Sequence, residues 1–273
     1  MILRITAVLA TSILLTAQAP RPPAAPVMEV TVTASDFTFD APASVAAGVI
    51  KFTLVNKGPS IHHLMIVRLD GGHTLQDVMD NFGKGPAPDW FVMMGGPNAG
   101  NPGGGTSNAT LVLEPGNYLL TCFVGSAKDP MPHIMKGMVK ELTVTAGAPQ
   151  KSALENADVI MTLADYSFTT SQDLKAGRHT FRVENNAQQP HEVELLQLAP
   201  GKTVQDLMKW LPTEDGPPPA SLLGGVAPLS PGHANNFSAD LGKGDYVLLC
   251  FVPDAKDGAP HFVHGMVRAF SIE

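Results

Sequence analysis

The chain has 273 residues, with 18 Lys and Arg against 25 Asp and Glu, for a formal net charge of −7 at pH 7. That length suits two domains of ordinary size better than one small one. The acidic balance and the lack of any basic stripe argue against a nucleic-acid partner, which needs clustered cationic side chains. With 26 Gly, 24 Pro and only 16% charged residues, the composition points to short strands joined by many turns.

The N-terminus reads as a signal peptide over residues 1–19. Arg4 supplies the positive n-region, residues 5–15 are apolar, and Ala17-Gln18-Ala19 has the small-x-small cleavage form. The apolar run is too short for a comfortable membrane span, so the mature chain is expected to have none. Pro20 would directly follow the cut, which leaves an uncleaved anchor as the other reading. Export places the protein in the periplasm or outside the cell. A Pro/Ala-rich tether over 20–26 follows. Alternating apolar residues then predict strands over 29–33, 50–55, 64–69, 110–113, 118–124 and 139–144. One helix interrupts them, with Thr74 as N-cap and Asp77 as its capping-box partner. The Gly/Pro-rich residues 83–105 are expected to form a long loop.

The second half repeats the first. Lys51-Phe52-Thr53-Leu54-Val55-Asn56 recurs as Thr180-Phe181-Arg182-Val183-Glu184-Asn185, and Asp36 aligns with Asp165, at a spacing of 129. Thr203 and Asp206 repeat the helix cap. The closing segments, from Gly116 to Val124 and from Gly244 to Val252, match at 128. The domains are therefore 27–146 and 157–273, joined by a linker over 147–156, and each reads as an all-β Greek-key sandwich with one short inserted helix.

Each copy carries the same soft and borderline donors in the same order. The first has His62, Cys122, His133 and Met138; the second has His191, Cys250, His261 and Met266. Two imidazoles, a thiolate and a thioether are the ligand chemistry of a trigonal His₂Cys copper site with a weak axial Met. Blander readings stand beside this one. Each Cys could be a small buried hydrophobe, or the two could form a disulfide. Met138 and Met266 could be ordinary core residues. His63 could replace His62, although it falls opposite Glu192 in the repeat, and only one of two adjacent strand residues can face a given side. His264 aligns with Lys136 and reads as a surface residue, and His73, His179 and His233 read as solvated.

These elements resemble the cupredoxins, plastocyanin in particular. Asn185-Asn186-Ala187-Gln188-Gln189-Pro190-His191 is similar to the plastocyanin segment that ends in its first copper histidine. Gly-x-Tyr-x-x-x-Cys at 244–250 is similar to the strand that ends in its copper cysteine, and His261 and Met266 have its His-to-Met spacing. The first copy repeats all three, so the resemblance covers nearly the whole of both domains. It departs in one respect. Cupredoxins usually place only a few residues between Cys and His, whereas ten lie over 123–132 and again over 251–260. Turns at 127–130 and 255–258 would let that loop fold out and back.

The resemblance implies an exported copper protein that carries electrons to or from a redox protein partner. Copper storage or delivery, or a metal-free cupredoxin-like interaction module, are the alternatives. A multicopper enzyme would need further His-x-His or His-Cys-His motifs, which are absent, so a non-enzymatic role is expected. Nothing in the sequence sets the oligomeric state.

Overall fold

A computed structural model describes residues 27–147 and 153–273. The signal peptide, the tether and residues 148–152 of the linker lie outside the described residues. In the first copy the strands are β1 (Met28–Ser35), β2 (Thr38–Asp40), β3 (Ser44–Ala46), β4 (Gly48–Asn56), β5 (Met65–Leu69), β6 (Phe91–Met93), β7 (Gly105–Leu113), β8 (Gly116–Thr121) and β9 (Val139–Thr145). The second has β10 (Val159–Ala164), β11 (Ser167–Thr170), β12 (Gly177–Asn185), β13 (His191–Leu198), β14 (Ala220–Leu229), β15 (Ala234–Leu241), β16 (Gly244–Leu249) and β17 (Val267–Ile272). Helices α1 (Leu75–Asn81) and α2 (Val204–Trp210) lie between β5 and β6 and between β13 and β14.

Each copy is a two-sheet sandwich. In the first, β2-β1-β4-β7 faces β3-β9-β8-β5-β6; in the second, β11-β10-β12-β15 faces β14-β13-β16-β17. β1 pairs in parallel with β4, and β10 with β12. Val30, Val32 and Ala34 alternate inward along β1 and meet Phe52, Leu54, Leu120 and Leu142. Fully burying such a side chain contributes roughly 1.5–3 kcal/mol. Both helices carry complete capping boxes: the Thr74 and Thr203 hydroxyls accept from Asp77 and Asp206 N–H, while those carboxylates accept back from the Thr N–H.

The stretch 83–105 is not one loop. Phe91 to Met93 pairs with β5, and β7 already begins at Gly105 because its backbone continues the β4 ladder to the Asn56–Gly105 pair. Backbone pairing there overrides a sequence with no apolar alternation. The strand expected over 118–124 ends at Thr121: Cys122 N–H still donates to Met138 O at 3.3 Å, in register with β9, but Cys122 O turns to accept from Ile134 N–H of the returning loop at 2.7 Å.

The two copies join edge to edge. β7 meets β15, fusing two sheets into one of eight strands. Residues 94–100 run antiparallel to β14, with bridges Met94–Leu229, Pro97–Val226 and Gly100–Leu223. At the repeat spacing of 129, Pro97 and Val226 are the same position, and Met94 and Gly100 correspond to Leu223 and Leu229. The contact is therefore isologous, as in a two-fold dimer, although both halves belong to one chain. Asn98 N–H donates to Gly225 O, and its equivalent Ala227 N–H donates to Gly96 O, at 3.2 and 2.9 Å. Gly96 and Gly225, themselves equivalent, take φ of 125° and 137°. A Cβ on either would lie 2.2 Å from Leu64 O or 2.0 Å from Val193 O, so only glycine fits this close approach.

Candidate metal centres

The ends of β8 and β16 deliver Cys122 and Cys250 to the floor of each sandwich, where both are buried and unbridged. The ten-residue excursion after each Cys folds back on itself. His133 N–H donates to Val124 O at 3.0 Å, and Ser126 and Asp129 close the outer turn on each other. In the second copy His261 N–H donates to Val252 O at 2.9 Å, and Asp254 N–H to Ala259 O at 2.8 Å. The pinched loop returns its His to the Cys, so its length does not leave the imidazole free. Met138 and Met266 N–H then donate to His133 and His261 O, both at 3.0 Å, which fixes the His-to-Met turn.

In the first copy, Cys122 Sγ lies 3.9 Å from His62 Nδ1 and 3.5 Å from His133 Nδ1, and the two nitrogens are 3.0 Å apart. In the second, Cys250 Sγ lies 3.8 Å from His191 Nδ1 and 3.4 Å from His261 Nδ1. The donor atoms of each set lie within 4.8 Å of one another. Met138 and Met266 are fully buried in the same cluster as their cysteine. The structure thus brings together His62, Cys122 and His133 in one set and His191, Cys250 and His261 in the other. His63 faces the opposite way, and its Nε2 accepts from Phe123 N–H at 2.9 Å. Its counterpart Glu192 does the same for Phe251 N–H at 2.8 Å.

Two residues outside the predicted set orient the ligands. Asp36 Oδ1 is 2.8 Å from His62 Nε2, and Asp165 Oδ1 is 2.9 Å from His191 Nε2. A proton held on Nε2 leaves the Nδ1 lone pair facing the cysteine. The signal for both was in the repeat, which keeps Asp36 and Asp165 at one position.

The electrostatics suit a soft cation. Burial, partly offset by the aspartate, lowers His62 and His191 below the ordinary imidazole range. Burial and the neighbouring imidazole lower His133 and His261 to about 4. All four rings are therefore neutral at neutral pH, with lone pairs free to coordinate. Burial pushes the Cys122 thiol up to about 12 and the Cys250 thiol up as well, so a bound cation would take the place of the proton. His261 Nε2 is buried with no hydrogen-bond partner, the nearest carboxylate oxygen being Asp254 Oδ2 at 3.7 Å. Neutral imidazoles and a thiol converging at a buried point, with Met138 or Met266 buried in the same core cluster, are a donor set for copper.

The copies differ at the rim. Phe37 lies against His133 at 4.9 Å between ring centroids, with Lys136 Nζ 4.6 Å above the Phe37 ring. Tyr166 replaces Phe37 and donates from its hydroxyl to Asp254, which also accepts from Lys256 N–H and Gln189 Nε2. Those hydrogen bonds, the tyrosine's first, hold Asp254 far below the usual carboxylate range. His264 pairs with Asp257 at 3.2 Å on the exposed loop. His73 stacks on Trp90 and His179 pairs with Asp158, so neither is simply solvated.

Both copies are two-sheet β-sandwiches that bring the same donor set together. No protein-family model and no curated protein matches the chain. Among solved structures, it is similar to a dithionite-reduced auracyanin from Roseiflexus castenholzii at 22% identity, covering 46% of this chain and 99% of that one, with a TM-score of 0.32. A blue copper oxidase from Nitrosomonas europaea is similar at 14% identity over 90% of this chain and 86% of that one, TM-score 0.26. A copper nitrite reductase from the same organism is similar at 16% identity over 91% and 94%, TM-score 0.28. The chemistry of the sites rests on the donor atoms described above.

Proposed function

We propose that this chain is an exported copper protein that carries electrons through two type 1-like sites, one in each half. The observation that carries the reading is the duplicated convergence of two Nδ1 atoms and one Sγ within 4.8 Å, each set roofed by a pinched loop. Bound copper would supply one-electron exchange between its two oxidation states. His62, Cys122 and His133 would hold it in the first half, His191, Cys250 and His261 in the second, with Met138 and Met266 as weak axial donors. The aspartates keep the imidazoles in the right tautomer, and the β-sandwich holds all donors in place, so little has to reorganise when charge changes. No substrate has to enter, so the role is that of a carrier rather than an enzyme.

Electron exchange requires a partner at the rim. Met131 and Met135 are exposed on the loop and short helix that carry His133, and they offer an apolar patch for a redox protein. Export, from the N-terminal segment, would place that exchange in the periplasm or outside the cell. Among the described residues no helix is long and apolar enough to cross a membrane.

The test is reconstitution of the purified chain with Cu(II), with a copper count and a visible spectrum. An intense thiolate-to-copper band with two copper per chain, halved in Cys122→Ser and abolished in the double variant with Cys250→Ser, supports the reading. A colourless chain that binds only Cu(I) would replace it with storage or delivery, and a chain that binds no copper would leave a structural module.

A further inference from the structure

A partly open cleft of about 960 Å³ lies between the two halves, a volume in the range of sites for small organic ligands. Aromatic side chains of both halves line it, among them Phe82, Phe91 and Phe123 of the first and Phe251 of the second. Its wall also carries four carboxylates, Glu192, Glu194, Glu214 and Asp254, against one Lys or Arg, the exposed Lys256.

The repeat provides an internal control for what packing alone requires. The isologous contact gives the cleft two equivalent walls: His63 and Glu192 share one repeat position, and Met65 and Glu194 share another. His63 and Glu192 have the same structural task, since each accepts the N–H of the Phe that follows its cysteine, at 2.9 and 2.8 Å. Glu192 also accepts from Asn98 Nδ2 at 3.1 Å, so both of its oxygens are occupied. Glu194 differs. Met65 fills the equivalent place with a buried thioether, so the fold does not need a carboxylate there. Glu194, only 4% exposed, takes one N–H, from Ala99 on Oε2 at 3.3 Å, and its Oε1 has no hydrogen-bond partner. A buried carboxyl oxygen left unpaired is costly. Burial and the charge of Glu192 raise this carboxyl above its ordinary value, and the Ala99 N–H does not offset them.

We propose that the cleft binds a small organic ammonium ion with an apolar body, whose N–H donates to Glu194 Oε1 while the body lies among the aromatic side chains. Such an ion supplies both things the wall lacks: a donor for the unpaired oxygen and a positive charge for the excess of carboxylates. Aromatic faces favour a cation beside them, and a hydrogen bond between charged partners is stronger than a neutral one. A metal ion is the poorer occupant, because His63, Glu192 and Glu194 do not form one of the converging donor sets among the described residues. An anion would meet like charge. The site does not depend on the copper reading, although Phe123 and Phe251 place it one residue from each cysteine.

The experiment uses the full chain without added copper, so that an amine has no metal to coordinate. The chain has two tryptophans, Trp90 and Trp210, and both line the cleft, so their fluorescence reports its occupancy. The probe is 4-phenylbutylamine, protonated at neutral pH, with 4-phenylbutanol as its neutral counterpart and 4-phenylbutyrate as the anionic one; calorimetric titration gives the stoichiometry. The expected result is a saturable change with one amine per chain, tighter than the alcohol by roughly tenfold or more, as one hydrogen bond between charged partners supplies, and weakest for the butyrate. Glu194→Met installs the residue that the first half already carries, and Glu194→Gln keeps the shape and an acceptor while removing the charge. Both should lose the preference for amine over alcohol; Glu194→Gln decides the matter if Glu194→Met does not fold. No saturable amine binding, alcohol or butyrate binding as tight as the amine, or a preference that survives in Glu194→Gln would overturn the proposal and leave the copper reading untouched.

Discussion

Asp36 Oδ1 sits 2.8 Å from His62 Nε2, on the far side of the imidazole from Cys122, so an exposed loop carboxylate sets the proton position of a buried ring. Hydrogen bonds from His62 and Ser60 outweigh the raising effect of Asp36's own partial burial and hold it below the usual carboxylate range. It is therefore ionised wherever the site would work. Asp36→Ala should weaken copper binding in the first half by roughly 10–100-fold, as loss of an outer-shell partner typically does, and leave the second half unchanged. Competition with a copper chelator, read in the Cys250→Ser background, checks this; unchanged affinity would remove the aspartate from the site.

The rims predict unequal potentials. Lys136, paired with Asp129, stands over the Phe37 ring that lies against His133, whereas Asp254 stands 3.7 Å from His261. A nearby negative charge stabilises the more highly charged metal ion, so the second site should have the lower reduction potential. Asp254→Asn should raise it and Lys136→Gln should lower that of the first. Potentiometric titration of the single-site variants gives each value directly, and equal potentials in both halves would refute the charge argument.

The isologous contact depends on two glycines. Gly225→Ala would place a Cβ 2.0 Å from Val193 O at a φ of 137°, where backbone on both sides resists adjustment. We expect a cost of about 2–4 kcal/mol, in the range of strained backbone and overpacking. Urea unfolding of the metal-free protein should show it as a lower midpoint.

Glu194 gives a pH signature. Burial, reinforced by the charge of Glu192, raises its carboxyl well above the ordinary value, and Oε1 has no hydrogen-bond partner. A raised folded value means that the native state holds its proton more tightly than the unfolded state. Its contribution to stability is therefore full below the unfolded value, near 4.5, and is lost as pH rises toward the folded value. Glu194→Gln removes that dependence. The variant's melting temperature relative to wild type should climb from pH 4 to pH 8, and a flat difference would contradict the assignment.

The sequence alone determined the duplication, the all-β class and the order His62, Cys122, His133, Met138 with its counterpart in the second half. Each of these is written in local alternation or in spacing, which a one-dimensional pattern preserves. The ten residues between Cys and His were legible only as a departure; that they pinch into a returning loop depends on cross-loop hydrogen bonds such as His133 N–H to Val124 O, which no spacing encodes. The ordering of residues 83–105 came from pairing with β4, β5 and the other half of the chain, partners distant in sequence. The apposition of Pro97 and Val226, and with it the meeting of Asn98 and Glu192, was decided by tertiary structure alone. Side chains 94 residues apart, such as Asn98 and Glu192, become neighbours only when two sheet edges find each other, and that choice is made by shape and by unpaired backbone groups seeking partners.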